Sequence, residues 1–313
     1  MAFRPLGGPG ELDLFRRLSY TLDHELADDL AQGRRRPDWM WVAVRDDRVL
    51  GRLSWWSGQD GGAPQALDFF DLDDSLPEAE RVEVGSELFR RAAREVLGDA
   101  TSGWPGFSRF VPADWREDAA VRGAVEARMK VLEETGARLL VERLRLEWRP
   151  GTPVAEPSGR LLFREVRDRE DLLALMTPVL EGTLDAHGQD RLARGLSARQ
   201  AAELHYDEEF AHFRTPREWW RIAELADSGE PVGFVVPARN SYHPIIAYIG
   251  VLPGPRGNGY VDEILAEGTR VLAAADVPRI RAATDLANVP MARAFERAGY
   301  VTFERTLTMA WPP

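Results

Sequence analysis

The feature that most constrains this chain is an apolar run that passes through a loop of prolines and glycines into a long helix, from Ile245 to Tyr260. The apolar run Ile245 to Val251 predicts a strand, and the helix after it has one apolar face. Gly257 and Gly259 lack Cβ atoms, so a phosphate can approach the loop backbone closely. A helix N-terminus also favours an anion. The segment therefore predicts a pyrophosphate site. The apolar face of the helix comprises Val261, Ile264, Leu265, Gly268, Val271 and Leu272.

Two common phosphate-binding loops do not fit this segment. A P-loop requires Gly-Lys-Ser/Thr, and Lys130, the only lysine in the chain, lies far away. A dinucleotide fingerprint requires a third glycine three residues after Gly259, where the chain has Asp262. Pro253 and Pro255 also separate the strand from the glycines.

The same loop resembles the acyl-CoA loop of the GNAT (general N-acetyltransferase) superfamily, whose signature is Gln/Arg-x-x-Gly-x-Gly/Ala. Arg256, Gly259 and the spacing match this signature. The last position is Val261 in place of Gly or Ala, which crowds the first helical turn and leaves the backbone N–H donors in place.

A second GNAT signature, Asn-x-x-x-Ala-x-x-x-Tyr-Glu-x-x-Gly-Phe, is similar to the segment from Asn288 to Tyr300. Asn288 suits an N-cap and Gly299 suits the C′ position of the helix between them. The tyrosine that often serves as general acid in the family is Phe295 here. A strand predicted from Arg279 to Thr284 separates the two signatures, as in the family order. The resemblance covers roughly residues 160 to 313.

The resemblance implies transfer of an acyl group, usually acetyl, from acetyl-CoA to a primary amine of a small molecule or peptide, by direct attack in a ternary complex. The amides from Gly257 to Val261 would hold the pyrophosphate, and the backbone from Ile249 to Val251 would pair with the pantetheine arm. The Val251 N–H would polarise the thioester carbonyl. Asn288 would either face the arm or cap its own helix. The implied cofactor-binding residues are Ile249, Gly250, Val251, Arg256, Gly257, Asn258, Gly259, Tyr260, Val261, Asn288 and Phe295.

The acceptor amine needs a base, either directly or through water. The resemblance places the first two helices of the catalytic domain beside the acceptor pocket. There Asp185 and His187 flank a predicted helix end and are candidates for amine anchor and base; alternatively, they are solvated residues near a loop. Glu224, on a predicted hairpin, is a further base candidate or an ordinary outward-facing residue. Tyr248 and Tyr260 are candidates to protonate the departing thiolate, unless they only pack.

Composition narrows the remaining classes of function. The chain has 313 residues, 51 acidic and 40 basic, for a net charge of −11, and it contains no cysteine. This charge disfavours nucleic acid and suits a protonated amine. We expect a soluble cytoplasmic protein, monomer or homodimer, without membrane partner, disulfide or Cys-ligated zinc. His205 and His212 lack the spacing of a His-Glu-x-x-His site, so no metal is expected. Basic charge almost wholly from arginine is typical of a high-GC bacterial genome.

The two halves of the chain resemble each other. The segments Leu132 to Trp148 and Phe295 to Trp311 share the order of helix, glycine cap and alternating strand, which indicates duplication. Four identities recur at one spacing: Glu133 with Glu296, Gly136 with Gly299, Leu144 with Leu307, and Trp148 with Trp311. Earlier elements also correspond, with predicted hairpins at Met40–Arg45 with Val49–Trp56 and at Arg221–Ala226 with Val232–Val236, a strand at Leu67–Leu72 and a helix at Glu80–Leu97.

Only the second half carries the anion loop. The corresponding segment of the first half, Asp71 to Glu78, is rich in carboxylates, which repel a pyrophosphate. We predict an α/β protein with two tandem GNAT-like domains, each a central mixed β-sheet flanked by helices. The predicted limits are a degenerate domain without cofactor over 1–150, a Pro/Gly-rich linker over 151–160 and a catalytic domain over 161–313.

This organisation resembles that of mycothiol synthase and its relatives at the level of architecture. A second hypothesis is a non-catalytic acyl-CoA-binding or regulatory protein. Phe295 and Val261, the two departures from the family signatures, support that alternative.

Overall fold

The computed structural model describes residues 1–58, 62–98, 103–240 and 242–312, which form two compact units. The first unit comprises Met1–Glu142 with Thr306–Pro313, and the second comprises Arg143–Arg305. Residues 151–160, the predicted linker, contain neither helix nor strand. The limits between the units fall inside two strands. The domain limits drawn from the sequence stay a prediction.

The elements of the first unit follow one another along the chain, and the last strand continues into the second unit. They are β1 (Ala2–Pro5), α1 (Leu12–Phe15), α2 (Leu26–Ala31), β2 (Met40–Arg45), β3 (Arg48–Trp56), β4 (Ala66–Leu72), α3 (Glu78–Leu97), β5 (Phe107–Pro112), α4 (Ala119–Glu133) and β6 (Arg138–Trp148).

The elements of the second unit repeat this order with one additional helix after the first strand, and their last strand ends in the first unit. They are β7 (Leu161–Glu165), α5 (Arg169–Val179), α6 (Ala186–Ala193), α7 (Ala198–Glu208), β8 (Arg221–Leu225), β9 (Pro231–Arg239), β10 (Pro244–Val251), α8 (Tyr260–Ala273), β11 (Ile280–Asp285), α9 (Val289–Arg297) and β12 (Val301–Ala310).

Each unit has a mixed sheet with one parallel step. In the first unit β1, β2, β3 and β4 pair as antiparallel neighbours, and β4 then pairs in parallel with β5. In the second unit β7, β8, β9 and β10 are antiparallel neighbours, β10 pairs in parallel with β11, and β11 is antiparallel to β6. A parallel step needs a crossover, which α3 and α8 supply. The predicted α/β class, with a mixed sheet in two repeated halves, is confirmed.

Helix α8 lies close against β9 because a glycine faces the sheet. A Cβ added to Gly268 would lie 2.6 Å from a methyl group of Val235, so a larger residue there would push the helix away. Ile264, Leu265 and Leu272 are fully buried on the same face, as the helical spacing predicts. This packing fixes the N-terminus of α8 at the end of β10.

Helix α9 also follows the prediction. The Asn288 side chain accepts a hydrogen bond from the Met291 N–H at 3.4 Å, so Asn288 is the N-cap. Gly299, with a φ of 78°, follows the helix in the left-handed conformation that glycine tolerates. Ala294 and Phe295 are buried in the core of the second unit.

Candidate active site

Strands β10 and β11 separate soon after they meet. The register pair between them in the described part of the chain is Ile245 with Arg281, although β10 runs on to Val251 and β11 to Asp285. The other edge of β10 pairs with β9 along its whole length. The edge of β10 that faces β11 therefore leaves main-chain groups without a strand partner, and such groups require other partners.

The loop between β10 and α8 presents free backbone donors beside this gap. Gly257 and Gly259 adopt left-handed conformations, with φ of 85° and 75°. Within the described range 242–312, the N–H groups of residues 257 to 261 donate to no protein acceptor. Unpaired N–H groups at the start of a helix form an anion site.

Arg256 stabilises the loop through its side chain. Its guanidinium donates to the backbone oxygens of Val251 at 3.1 Å, Glu181 at 2.7 Å and Val179 at 2.8 Å. These contacts tie the loop to the end of β10 and to the residues after α5. The Arg256 side chain thus positions the loop, and its guanidinium donors are used by protein carbonyls.

A cavity of about 360 Å³ joins the loop to the gap between the strands. We call it the donor cavity. The wall formed by β10 is mostly apolar, whereas Arg143 of β6 and Asp285 of β11 are charged. Of the predicted cofactor-binding residues, Ile249, Gly250, Val251, Arg256, Gly257, Gly259, Tyr260, Val261, Asn288 and Phe295 line it. Asn258 belongs to the loop but not to this lining, and its side-chain amide donates to the Pro255 oxygen at 3.0 Å.

A second cavity of about 480 Å³ adjoins the first. We call it the acceptor cavity. Residues of α6 and α7 and the paired strands β6 and β11 contribute to its walls. Six residues line both cavities: Arg143, Asp185, Ile246, Ala247, Tyr248 and Ala283. Reactants that occupy the two cavities would meet at these six residues, which we call the junction.

A β-bulge places Tyr248 at the junction. The register between β10 and β9 shifts between Ile246 and Tyr248, and a bulge of this kind redirects the side chains around it. Burial raises the pKa of the Tyr248 hydroxyl, and the nearby Asp185 carboxylate raises it further. The hydroxyl therefore stays protonated at neutral pH.

Asp185 and His187 lie at the start of α6. Asp185 is the N-cap and accepts a hydrogen bond from the Gly188 N–H at 2.6 Å. His187 lines the acceptor cavity, where burial lowers the pKa of its imidazole and the Arg143 cation lowers it further. An imidazole with a lowered pKa is neutral at pH 7 and can accept a proton.

Glu224 lies apart from both cavities. It is on β8, where Arg164 donates to its carboxylate at 2.6 Å. Arg164 also pairs with Asp171 at 2.6 Å. Glu224 thus belongs to a surface ion-pair network next to α5.

An ion pair that the sequence did not indicate joins the buried Asp285 to the half-buried junction residue Arg143. The Asp285 carboxylate, only 2% exposed, lies 3.0 Å from Nε of Arg143 and accepts the Ala186 N–H at 2.7 Å. It therefore ties the end of β11 to the start of α6. The available signal was its position directly after a predicted strand, where polar residues of sheets often serve a site. Nothing local linked it to Arg143, which is far away in sequence.

The described residues show neither a metal cluster nor a membrane-spanning helix. Among the described residues, no group of three or more His, Asp and Glu side chains could hold a metal ion. Over the same ranges, no helix is long and apolar enough to cross a membrane.

Comparison with known proteins agrees with this geometry. Residues 189–300 match the model of the acetyltransferase (GNAT) family. No curated protein sequence matches the chain. The second unit therefore contains a segment that matches the GNAT family, and the predicted fold class of two tandem GNAT-like domains is confirmed.

Two of three solved structures compared with this chain have TM-scores above 0.5 and share its fold at low sequence identity. A GCN5-related N-acetyltransferase from Sphaerobacter thermophilus has a TM-score of 0.61 at 15% identity, covering 100% of this chain and 96% of that one. A GCN5-related glucosamine N-acetyltransferase region of a fungal multi-domain β-N-acetylglucosaminidase has a TM-score of 0.55 at 14% identity, over 98% of this chain and 38% of that one. A tandem GNAT protein from the clavulanic acid biosynthesis pathway gives 0.47 at 18% identity, over 100% of this chain and 99% of that one. The likeness to mycothiol synthase stays a prediction.

Removing the buried carboxylate should loosen the junction. We expect Asp285→Asn to lower the free energy of unfolding by about 1–3 kcal/mol, because Arg143 loses its ionic partner and the amide is a weaker acceptor for the Ala186 N–H. Urea denaturation followed by circular dichroism measures the change.

Asp262→Asn is the matched control, since Asp262 pairs with Arg297 at 2.7 Å with side chains 41% and 55% exposed. An exposed pair of this kind should change stability by less than about 0.5 kcal/mol. Equal effects of the two substitutions would contradict a structural role for the buried pair.

Proposed function

We propose that the second unit is an N-acyltransferase that moves an acetyl group from acetyl-CoA to the primary amine of a small molecule or peptide. The observation that carries this proposal is the pair of adjoining cavities whose shared wall contains Tyr248 and Asp185. One cavity opens onto unpaired backbone N–H groups, and the other has titratable side chains. Two separate reactants, one of them a phosphate ester, suit such a site.

The residues present fit coenzyme A. The free N–H groups of residues 257 to 261 suit a pyrophosphate, because their positive ends point away from the helix. The edge of β10 from Ile249 to Val251 suits the amides of the pantetheine arm, because it has no strand partner there and, apart from the Val251 oxygen that accepts from Arg256, its main-chain groups are available. The thioester would then lie near the junction, where the Val251 N–H is the candidate to polarise its carbonyl, a contribution of about 3 kcal/mol when preorganised.

The acceptor amine would enter through the other cavity. Neutral His187, or Asp185 through water, would take its proton. The amine nitrogen would then form a bond to the thioester carbon, and the carbon–sulfur bond would break. The sulfur would leave as a thiolate and receive the proton of Tyr248. Because a thiolate is a good leaving group, this last proton transfer is the less demanding one. The nitrogen would release its second proton as the amide forms, and that proton would restore the Tyr248 hydroxyl through water.

The structure of the first unit favours one cofactor site per chain, located in the second unit. Its parallel strands β4 and β5 have one register pair, Leu67 with Phe107, as β10 and β11 do. Arginine side chains occupy the edge of β4 beyond that pair. Arg128 donates to the oxygens of Phe70 at 3.1 Å and Leu72 at 3.3 Å, and Arg109 donates to Phe70 at 3.4 Å. These bonds occupy carbonyls that a pantetheine arm would need, so we propose that this copy is degenerate.

The alternative is a protein that binds acyl-CoA without catalysis. Phe295, at the position of the family tyrosine, is 1% exposed and packs against the Tyr300 ring at 5.1 Å, so it offers no proton. Tyr248 at the junction favours the enzyme, because it supplies a hydroxyl where the reactants would meet.

Coenzyme A should bind once per chain. We expect isothermal titration calorimetry to give one site, and Gly259→Glu to weaken binding at least about hundredfold, because a carboxylate and a Cβ then face the pyrophosphate.

Gly229→Glu is the matched control. Gly229 also has a φ of 75°, so the substitution introduces the same charge and the same backbone strain. Gly229 lies in the β8–β9 turn, outside both cavities. Two sites per chain, or equal losses from both substitutions, would count against the proposed cradle.

Tyr248 should be the proton donor. We expect Tyr248→Phe to lower kcat about tenfold or more while the KM for acetyl-CoA stays within about twofold. Tyr260→Phe is the control, because Tyr260 lines only the donor cavity, and it should change kcat by less than about threefold. If the two variants behave alike, Tyr248 only packs.

The enzyme should not need the hydroxyl that the family tyrosine would supply at the position of Phe295. Because another hydroxyl serves the junction, Phe295→Tyr should leave kcat within about tenfold of the wild type, or about 1.4 kcal/mol of barrier. A gain of several hundredfold would instead identify the chain as a decayed enzyme that lacks its acid.

The dependence of kcat/KM on pH should show no ionisation of an enzyme group in the neutral range. The pKa of His187 is lowered from the ordinary value of about 6.5, so its basic form persists below that pH. The plot of kcat/KM against pH should therefore rise with deprotonation of the amine alone between about pH 6.5 and 9. His187→Gln should lower kcat/KM at every pH without shifting the pH range over which it rises. If kcat/KM of the wild type also rises with an ionisation of the enzyme at pH 7 or above, His187 is excluded as the base.

A further inference from the structure

Three arginines form one face of the acceptor cavity. Arg143 and Arg145 lie two residues apart on β6, and the antiparallel register pairs Glu147 of the same strand with Arg281 of β11. Alternate residues of a strand share a face, so all three arginines lie on the same side of the sheet. All three line the acceptor cavity. We call them the arginine floor.

The opposite face of β6 confirms this assignment. Leu146 and Trp148 are buried in the core of the second unit, and Leu144 packs against it. The alternation of leucine and arginine along β6 therefore separates a core face from a cavity face, and the charges are held at the cavity by the strand register.

Among the described residues, five arginines in and beside the floor share three carboxylates. Arg143 pairs with Asp285 and Arg145 with Glu304, while Glu147 serves Arg149 at 2.5 Å, Arg281 at 2.7 Å and Arg279 at 3.5 Å. Burial and the neighbouring arginines, first Arg281, also lower the pKa of His243, which lines the same cavity. The local potential is thus positive, although the whole chain is acidic.

Arg281 is rigidly held and has an unused donor. Its guanidinium carbon lies 3.6 Å from the centre of the Phe303 ring, a stacked position that orients the planar group. Its Nε is buried and has no hydrogen-bond acceptor among the described residues. A fixed planar donor beside a cavity suits an oxygen anion.

The carboxylates of the cavity lie on its helical side. Glu208 pairs with Arg191 at 2.8 Å, Glu209 lies 3.1 Å from His205, and Asp185 is at the junction. The acceptor cavity is therefore divided, with acids on the helices and arginines on the strands. A molecule with an amine at the junction and an anion at the floor would match both.

We propose that the acceptor is an amine that also carries an anionic oxygen group, a carboxylate or a phosphate ester, which binds the arginine floor. This inference rests on the proposed function for the orientation of the amine. Arg145 and Arg281 lie two and four residues beyond the junction residue Arg143 along β6, which places the anion about 7–13 Å from the reactive nitrogen. The acceptor therefore has several bonds between the two groups.

Calorimetry with three amines of equal length tests this. Aminohexanoate, aminohexyl phosphate and aminohexanol, each with a terminal primary amine, are titrated into the protein with and without coenzyme A. We expect at least one of the two anionic amines to bind about tenfold or more tightly than the neutral alcohol, and the better of the two identifies the anion.

Arg281→Gln should remove this preference, and Arg281→Lys should retain part of it. Arg279→Gln is the matched control: it also removes a cation from Glu147, but Arg279 does not line the cavity, so the preference should persist. Circular dichroism checks the fold of each variant.

Equal binding of all three amines, no binding of either anionic amine, or an equal loss in the Arg279 variant would overturn the proposal. Because the readout is binding, it stays separate from the proposed function, which fails if acetyl-CoA does not bind or no amine is acetylated.

Discussion

The site depends on the separation of two parallel strands. Main-chain N–H and C=O groups need partners, and the edge of β10 loses its strand partner after Ile245. The glycine loop then leaves the end of that edge, and the close packing of α8 through Gly268 holds the helix N-terminus there. One geometric step thus produces a gap with free hydrogen-bonding groups and a cradle for an anion. In the first unit, arginine side chains satisfy the corresponding edge.

Much of this architecture could be predicted from sequence because it is encoded locally. The strand, loop and helix from Ile245 onward follow from apolar spacing and from Gly257 and Gly259. Asn288 and Gly299 mark the ends of α9 through capping chemistry that acts over a few residues. The duplication was visible because corresponding segments keep the same order of helix, cap and strand.

The remainder of the site arises from contacts between distant segments. The pairing of β6 with β11 brings Arg143 next to Asp285. No sequence pattern near either residue predicts this contact. Glu224 is a second example, since its position on a predicted hairpin did not indicate that its carboxylate pairs with Arg164. The acidic net charge of the chain favoured a simple cationic amine, whereas the arginine floor makes the acceptor cavity locally positive. Net charge averages over a surface and does not describe one cavity.

The most direct test of the account is whether an amine makes the second unit cleave acetyl-CoA. The protein is incubated with acetyl-CoA and a series of primary amines, and both free thiol and the amide product are quantified. We expect thiol release that depends on the amine and equals the amide formed, because one carbonyl carbon exchanges sulfur for nitrogen. Tight binding of coenzyme A with no amine-dependent thiol release from any member of the series would contradict it and would leave a protein that binds acyl-CoA without catalysis.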